Sequence, residues 1–178
     1  MIQFTKLHEK HLEMVLRWRM QPEVSRYMLT DISGSMEDQK RWFHNISEDD
    51  GYLYWVIFYQ GDPIGLINLA AIDRRNQRTN IGYYIGEVKF RPLGFMIPPY
   101  LYNFVFKEMK FRKIYGEVVA SNENILTMHR MHGFREVGTF KDHIFKDGKF
   151  HDVILVELLS ESWLAKEKYK SYQAQFEV

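Results

Sequence analysis

Cysteine is absent from the sequence, and its absence excludes several kinds of chemistry. Disulfide bridges, a thiolate nucleophile and a zinc–thiolate site all require cysteine side chains. The sequence also has no run of about 18 consecutive apolar residues, so a membrane-spanning helix is not expected. Its first residues do not have the basic-then-apolar layout of a secretion signal. We therefore expect a soluble, cytoplasmic protein.

Positively and negatively charged residues are nearly balanced in the sequence, which argues against partners that bind through a large excess of one charge. The 24 Lys and Arg residues nearly balance the 23 Asp and Glu residues, and the formal net charge is +1. A nucleic-acid or anionic-membrane partner would need a basic stretch, and the sequence has none. Hydrophobic residues make up 46% of the chain and aromatic residues 16%, which is enough for a core and argues against disorder.

The length of 178 residues fits one domain. We expect this domain to span residues 1–163 and the polar residues 164–178 to form a loosely packed helical tail. Apolar periodicity, capping signals and β-branched or aromatic runs predict the elements of the domain. The predicted strands are residues 2–7, 52–59, 64–72, 79–88 and 113–120, followed by the two arms of a hairpin around Lys146, Asp147 and Gly148. The predicted helices are residues 9–20, a helix that begins at Ser35, and residues 98–110 and 122–132.

The order of these elements is β-α-α-β-β-β-α-β-α-β-β. It predicts an α/β (α+β) fold with a mixed, mostly antiparallel central sheet of about seven strands, flanked by four helices. Tight turns make the first strands antiparallel, whereas the helix between strands 79–88 and 113–120 indicates a parallel step. Pro22 is expected to end the first helix, and Gly133 to end helix 122–132.

The segment between strand 79–88 and helix 98–110 is the first candidate binding site. A helix N-terminus has unpaired N–H groups and partial positive charge, which together favour anions. The preceding loop, RPLGFM, has a cation at Arg91 and a glycine at Gly94, where the backbone can approach a ligand. A pyrophosphate cradle and an ordinary connection both fit this loop on its own.

With the element order, this loop resembles the GNAT superfamily of acetyl-CoA-dependent N-acetyltransferases. Their phosphate loop reads Arg/Gln-x-x-Gly-x-Gly/Ala; Arg91 and Gly94 match it, and Met96 departs from its last position. The resemblance implies a GNAT fold and acetyl-CoA as co-substrate, with no metal. The residues that it assigns to acetyl-CoA are Ile85, Gly86, Val88, Arg91, Gly94, Phe95, Met96, Asn122, Ile125 and His129.

The stretch NENILTMHRMHGF, residues 122–134, carries a second match. The superfamily pattern is Asn-x-x-Ala-x-x-x-Tyr-x-x-x-Gly-Phe, with Ile125 at the alanine position and His129 at the tyrosine position. In the family the asparagine holds the pantetheine arm and the tyrosine protonates the departing thiolate. A histidine near pKa 6.5 is partly protonated at neutral pH, so His129 either assists the thiolate or only fills the tyrosine's place. A metal pair with His132 would lack further ligands.

Two further segments narrow the resemblance. Residues 138–163 are similar to the C-terminal hairpin of the ribosomal-protein and polyamine acetyltransferases, and residues 16–43 to the nucleotide-amino-sugar acetyltransferases of pseudaminic acid biosynthesis. The latter implies acetylation of the 4-amino group of UDP-4-amino-4,6-dideoxy-N-acetyl-β-L-altrosamine, a precursor of the sugar that decorates flagellin. The implied substrate-binding residues are Arg19, Met28, Trp42 and Tyr84; Gln39 departs from a family histidine.

The chemistry of acetyl transfer to an amine needs an oxyanion donor, a proton for the thiolate and a neutral amine. A backbone N–H between Tyr84 and Gly86 is the expected oxyanion donor, which makes Tyr84 a catalytic candidate with His129. Glu87 and His44 are general-base candidates by residue type only.

Several alternatives remain open from the sequence. Arg19 could instead form a salt bridge on its helix, and Trp42 could be a core residue. The acceptor could be a protein N-terminus or a polyamine, and an acidic acceptor-binding surface would favour the polyamine. The chain could also bind acyl-CoA without turnover, and the family resemblance leaves room for a homo-oligomer.

Overall fold

One mixed sheet of seven strands organises the chain in a computed structural model, which describes residues 1–177. The strands are β1 Ile2–Lys6, β2 Leu53–Tyr59, β3 Asp62–Asp73, β4 Arg78–Ile85, β5 Lys113–Val119, β6 Arg135–Lys146 and β7 Lys149–Leu159. Their spatial order is β1-β2-β3-β4-β5-β7-β6, and every neighbouring pair is antiparallel except β4 and β5. The predicted sheet and its parallel step are confirmed.

Six α-helices accompany the sheet within that range, two more than predicted. They are α1 Leu12–Arg19, α2 Pro22–Ser25, α3 Met36–Glu48, α4 Pro98–Asn103, α5 Glu123–His132 and α6 Ser160–Leu164. Pro22 does not only end α1; it begins α2, because proline suits the first helical position. None of the helices in residues 1–177 is long and apolar enough to cross a membrane.

The helix boundaries follow local capping chemistry. The Ser35 hydroxyl accepts hydrogen bonds from the N–H groups of Glu37 and Asp38, at 3.2 and 3.3 Å, and so fixes the start of α3. Gly133 ends α5 at φ 94°, in the left-handed region that glycine adopts without strain. Both predicted boundaries are confirmed.

Alternate side chains of the strands face two separate cores. One face packs against α4 and α5, where Leu101 and Leu126 are buried with Trp55 and Ile67. The opposite face packs against α1 and α3 through a smaller cluster: Leu7, Val15, Trp18, Val56 and Leu66. The sheet therefore separates an α5 side from an α1–α3 side.

β4 and β5 are hydrogen-bonded neighbours over only three residue pairs, from Arg78 with Lys113 to Asn80 with Tyr115. Beyond that point the strands separate, although each keeps its antiparallel partner on the other side. The facing backbone edges of residues 81–85 and 116–119 consequently have no strand partner. This separation opens the sheet in its middle.

The connection between β4 and α4 is more regular than the predicted loop 89–97. Val88–Met96 forms consecutive 3₁₀ turns and runs directly into α4 at Pro98. The predicted helix 98–110 also changes its pitch, because Phe104–Glu108 forms a π-turn after α4. A π-turn inside a helix is frequent at functional sites, and this one begins eight residues after Met96, the end of the candidate loop.

The expectation of a loosely packed helical tail is wrong. Its only helical piece within the described chain is a 3₁₀ turn at Glu167–Tyr169, and Tyr169 and Phe176 are buried in the main core. The buried Asn103 side chain anchors the segment by donating to the carbonyl oxygens of Tyr169 and Tyr172, at 2.9 and 2.6 Å. The C-terminal residues are therefore part of the folded domain.

The burial of Phe176 yields a test of this correction. Its ring is 9% exposed and stacks on Phe4 and Phe104, at centroid distances of 4.3 and 4.7 Å. We expect Phe176→Ala to lower the free energy of unfolding by about 3 kcal/mol, measured by urea denaturation, because it leaves a cavity among aromatic rings. Gln175→Ala, at an exposed position of the same segment, serves as the control; equal stability of the two variants would contradict the packing.

Candidate active site

The opening between β4 and β5 leads into a cavity of about 510 Å³. This size falls in the range of small-molecule sites. The cavity touches the unpaired strand edges, the start of α5, and the elements α1, α2 and α3 on the other face. The residues of its wall that the sequence predicted are Arg19, Met28, Trp42, Tyr84, Ile85, Arg91, Gly94, Asn122, Ile125 and His129.

Two neighbouring tyrosines of β4 show that the cavity passes through the sheet. The Tyr83 hydroxyl lies 3.0 Å from the sulfur of Met128 on α5, whereas Tyr84 packs with the cluster below α1. Both rings line the cavity. We call the two parts the α5 end and the α1–α3 end; they meet where the strands separate.

Gly94 and Asn122 at the α5 end have features that the fold itself does not use. A Cβ added to Gly94 would lie no closer than 3.5 Å to any neighbouring side chain, so packing within the protein does not require glycine there. Asn122 precedes α5, but its side chain makes no capping hydrogen bond. A glycine that packing within the protein does not require and a carboxamide that does not cap its helix fit the binding of an extended polar ligand.

Arg91 joins the two ends of the cavity. Its guanidinium donates to the Gln21 side-chain oxygen at 2.8 Å and lies 3.8 Å from the exposed Glu23 carboxylate. Gln21 in turn donates to the carbonyl oxygen of Gly86, at 3.0 Å. The arginine of the candidate phosphate loop thus also fixes the turn between α1 and α2.

Four predicted cofactor residues lie outside the cavity wall. Val88, Phe95 and Met96 are exposed to solvent, at 65%, 42% and 42%. Gly86 is buried, but its N–H already donates to the Ile64 carbonyl oxygen at 2.8 Å, and it is therefore committed to the fold. Their assignment to acetyl-CoA therefore stays a prediction, and for Val88, Phe95 and Met96 it would require binding at the surface beside the cavity.

The reason for glycine at position 86 is the indole of Trp18. An added Cβ would lie 2.1 Å from Cγ of Trp18, a distance that no packing adjustment tolerates. Trp18 is fully buried and donates from its indole N–H to Glu87 at 2.8 Å. Close approach of a protein side chain, not of a ligand, explains this glycine.

His129 is buried in the α5 end, where it is 6% exposed, and its Nδ1 has no hydrogen-bond partner within residues 1–177. Burial, with a smaller contribution from His132, lowers the pKa of His129 to about 4. The imidazole is therefore neutral at pH 7, and the expectation of partial protonation is corrected. A neutral imidazole can still donate one hydrogen bond and accept another.

His132 has a different environment from His129. It is 2% exposed among aromatic rings, with Tyr102 and Tyr169 at centroid distances of 5.6 and 5.5 Å, and it does not line the cavity. Burial lowers its pKa to about 4 although the Phe95 backbone favours the charged form. Within the described residues, no three His, Asp or Glu side chains lie close enough together to hold a metal ion.

The α1–α3 end is rich in hydrogen-bond donors. Arg19 donates to the Gln39 side-chain oxygen at 2.9 Å, and its guanidinium lies 4.6 Å from the Trp42 ring centroid. It forms no ion pair with any residue of the described chain. Buried donors of Gln39 and Tyr84 also lack partners there. The alternative of a helix-face salt bridge for Arg19 does not hold.

Burial dominates the ionisation of this donor cluster. It lowers the pKa of Arg19, and the nearby Tyr84 and Tyr54 partly oppose that change. It raises the pKa of Tyr54 to about 12 and that of Tyr84 further. Arginine keeps its charge and both tyrosines stay neutral at pH 7. Trp42 packs edge-on against Tyr54 at 5.2 Å, so it is both a packed residue and part of the cavity wall.

Neither general-base candidate reaches the cavity. Glu87 accepts hydrogen bonds from Trp18 at 2.8 Å and Arg17 at 3.4 Å, and His44 is exposed on α3. The acidic residues that do line the cavity are Glu23 and Glu117, both exposed. An amine bound here can pass its proton to one of them or to water.

Tyr83, Asn68 and Glu117 also line the cavity and were not selected by the sequence analysis. One signal was available for Asn68, a polar residue in an otherwise apolar strand. It pairs with Gly82 in the β3–β4 register, and a Cβ at Gly82 would lie 2.7 Å from the Asn68 oxygen. Gly82 therefore makes room for a polar side chain in the wall.

Comparison with known proteins also indicates an acetyltransferase. A family model described as "Acetyltransferase (GNAT) domain" matches residues 2–135. The putative ribosomal N-acetyltransferase YdaF of Bacillus subtilis is 27% identical over 109 residues, which are 60% of this chain and 59% of YdaF. Acetyltransferase PseH of Campylobacter jejuni is 21% identical over 139 residues, which are 78% of this chain and 86% of PseH.

Solved structures agree with the sequence matches in fold. Spermidine N-acetyltransferase from Vibrio cholerae, in complex with CoA and spermine, has a TM-score of 0.85 at 17% identity, over 92% of this chain and 98% of that one. The fold, the opened sheet and the family match define an acyltransferase. The chain belongs to the GNAT family of acetyltransferases, whose acetyl donor is acetyl-CoA.

The low pKa values of the buried histidines predict how stability depends on pH. His129 and His132 have pKa values of about 4 when folded and about 6.5 when unfolded, so the unfolded chain binds more protons between these values. The contribution of the two histidines to the free energy of unfolding is fully present above pH 6.5, and it is lost as the pH is lowered toward 4. We expect a loss of about 2 kcal/mol for each histidine between pH 7 and pH 5.

Denaturant unfolding at pH 7 and pH 5 measures this loss. His129→Tyr removes one titrating group and should reduce the pH-dependent loss by about half. His44→Gln, at an exposed histidine of α3, should leave it unchanged. A His129→Tyr variant with the full pH dependence of the parent would show that His129 is not neutral in the folded protein.

Proposed function

We propose that the protein transfers an acetyl group from acetyl-CoA to the 4-amino group of a UDP-linked amino sugar, a precursor of pseudaminic acid. The observation that carries the proposal is the half-buried guanidinium of Arg19, which lines the α1–α3 end without an acidic partner in the described chain. A guanidinium binds phosphate oxygens through paired N–H donors. The sequence resemblance of residues 16–43 to nucleotide-amino-sugar acetyltransferases supports the same acceptor.

The charges of the cavity argue against a polyamine acceptor. A polycation would need carboxylates around it, whereas the acidic residues of the wall, Glu23 and Glu117, are exposed, and Glu23 already lies near Arg91. Arg19 would repel a second positive charge placed beside it. The unpartnered donors of Gln39 and Tyr84 equally favour an acceptor that brings oxygen atoms.

The acetyl donor fits the α5 end of the cavity. The unpaired edges of residues 81–85 and 116–119 offer backbone groups to an extended pantetheine arm, much as a sheet edge does to an added strand. Asn122 and Gly94 border the same space, and Arg91 lies where the phosphate loop begins. Acetyl-CoA supplies the activated acetyl group, and the protein supplies placement and hydrogen bonds.

The chain's own groups then account for the steps of acetyl transfer. The amine nitrogen forms a bond with the acetyl carbon, the carbon–sulfur bond breaks, and the amine loses a proton to water or to an exposed carboxylate. An N–H on the free edge of β4, at or before Tyr84, would stabilise the oxyanion, since the Gly86 N–H is already engaged. Neutral His129 would donate a hydrogen bond to the departing thiolate.

The role of His129 is testable by two substitutions. We expect His129→Ala to lower kcat by roughly 10–100-fold, because a hydrogen bond to a charged group is lost, whereas His129→Tyr retains most of the turnover. Steady-state release of the CoA thiol measures both. Thr127→Ala, at an exposed position of α5, is the control. Unchanged turnover in both His129 variants would leave His129 with a packing role only.

The acceptor is tested with a panel of amines. Thiol release from acetyl-CoA is followed with a UDP-linked 4-amino sugar, spermidine and a peptide with a free N-terminus. We expect turnover with the UDP sugar, and an increase in its KM of about tenfold or more in Arg19→Gln, because contacts with phosphate are lost. Arg19→Lys keeps the charge and tests whether paired N–H donors matter.

Arg26→Gln serves as the matched control for Arg19, because Arg26 is exposed and lies outside the cavity wall. Preferential turnover of spermidine would replace the proposed acceptor by a polyamine. An absence of thiol release with every amine, together with retained acetyl-CoA binding, would identify a binding module without turnover.

A further inference from the structure

The β6–β7 hairpin is unusual because most of its β6 side chains are exposed on both faces. Lys146, the last residue of β6, is an exception, with a side chain that is only 11% exposed. Its ammonium donates to the carbonyl oxygen of Met28 at 2.9 Å and lies 3.4 Å from the carboxylate of Asp31. The far end of the hairpin is thus attached to the segment between α2 and α3.

That segment, residues 26–34, contributes three residues to the cavity wall. Tyr27, Met28 and Leu29 line the α1–α3 end. In the described chain no hydrogen bond or ion pair other than that of Asp31 with Lys146 ties residues 29–32 to their surroundings. The ends of the segment are held by other hydrogen bonds, from the N–H groups of Arg26 and Met28 to α2 and from Ser33 to Asp38, so Lys146 supplies the attachment of its middle.

The hairpin can hold the segment in place because its end is closed by a tight turn and by paired strand residues. After a bulge at residues 141–143, β6 and β7 pair again from Ile144 with His151 to Lys146 with Lys149, and the turn residues Asp147 and Gly148 have φ values of 51° and 76°. Positive φ at both central residues is typical of the tight turn that matches the strand twist. The Lys146 carbonyl oxygen also lies 3.1 Å from Nε2 of His151. Lys146 is therefore held at its backbone as well as at its ammonium.

We propose that Lys146 is a positioning residue that holds segment 26–34 in place and thereby sets the affinity for the acceptor. It does not touch the cavity itself, so its effect passes through the Met28 carbonyl and the side chains next to it. The hydrogen bond to Met28 carries the effect more than the ion pair, since Asp31 is 86% exposed and such pairs contribute little. The proposal rests on the proposed function in one respect, that the α1–α3 end binds the acceptor.

The test compares Lys146→Met with Lys149→Met. Lys149 pairs with Lys146 across the hairpin and is exposed, and its side chain makes no hydrogen bond or ion pair within residues 1–177, so it is a matched control. We expect Lys146→Met to raise the KM of the acceptor about tenfold, while the KM of acetyl-CoA and kcat stay within about twofold of the parent values. Lys146→Arg, which can still donate, should restore most of the acceptor affinity.

A second measurement needs no acceptor. Limited digestion with chymotrypsin, followed by mass spectrometry, reports cleavage after Tyr27 and Leu29. We expect cleavage there to be about tenfold faster in Lys146→Met than in Lys149→Met, with other sites unchanged, because an unattached segment opens more often. Equal cleavage of the two variants would overturn the proposal, as would a rise of both KM values together.

The two measurements also separate this proposal from the assignment of the acceptor. If the UDP sugar is not acetylated, the kinetic comparison is made with the amine that does release thiol, and the assignment of the acceptor fails alone. If no amine is turned over, the digestion decides whether Lys146 holds the segment. Faster cleavage in Lys146→Met than in Lys149→Met then supports the proposed attachment, and equal cleavage contradicts it.

Discussion

The short pairing of β4 with β5 is the constraint on which the rest of the structure depends. Three residue pairs join the strands, and antiparallel partners hold each of them along the other edge, so they can separate without fraying. The separation creates a water-accessible backbone edge inside the sheet and joins its two faces. Without it, the α5 end and the α1–α3 end would be two shallow depressions on opposite sides of a barrier. A donor and an acceptor bound from opposite faces can meet only through such an opening.

Most of the sheet could be predicted from the sequence, because its strands are long, rich in aromatic and β-branched residues, and joined by recognisable turns. The parts that could not be predicted depend on distant partners. Tyr169 and Phe176 stand in a polar background and gave no periodic signal, yet each completes a core built by residues far away in the chain. The 3₁₀ turns at Val88–Met96 likewise contact residues that are distant in the chain or in other elements, with Gly94 beside Ile85 of β4 and the Phe95 ring 6.3 Å from that of His132 on α5.

In the candidate site, too, some residues could be selected from a sequence motif, whereas the properties of others depend on their surroundings in the fold. Arg91, Gly94 and Asn122 line the cavity, and the binding roles that the family pattern implies for them stay predictions. Two glycines that are eight residues apart in the chain have different causes, however: a Cβ added to Gly94 would fit beside Ile85, whereas one added to Gly86 would collide with the Trp18 ring. No local pattern distinguishes them. The ionisation of His129 was also beyond the sequence, because its pKa depends on how deeply α5 buries it.

The C-terminal segment has a consequence for the outer edges of the sheet. Phe176 forms a parallel bridge with Phe4, and the Trp55 indole donates to the Glu177 carbonyl oxygen at 2.7 Å, so the last described residues lie along β1. At the opposite edge, β6 presents a twelve-residue strand with exposed Val137, Phe140 and Phe145. The sheet is thus capped by its own chain on one side and open on the other. Any strand added from outside, whether by assembly or by aggregation, can extend it in one direction only.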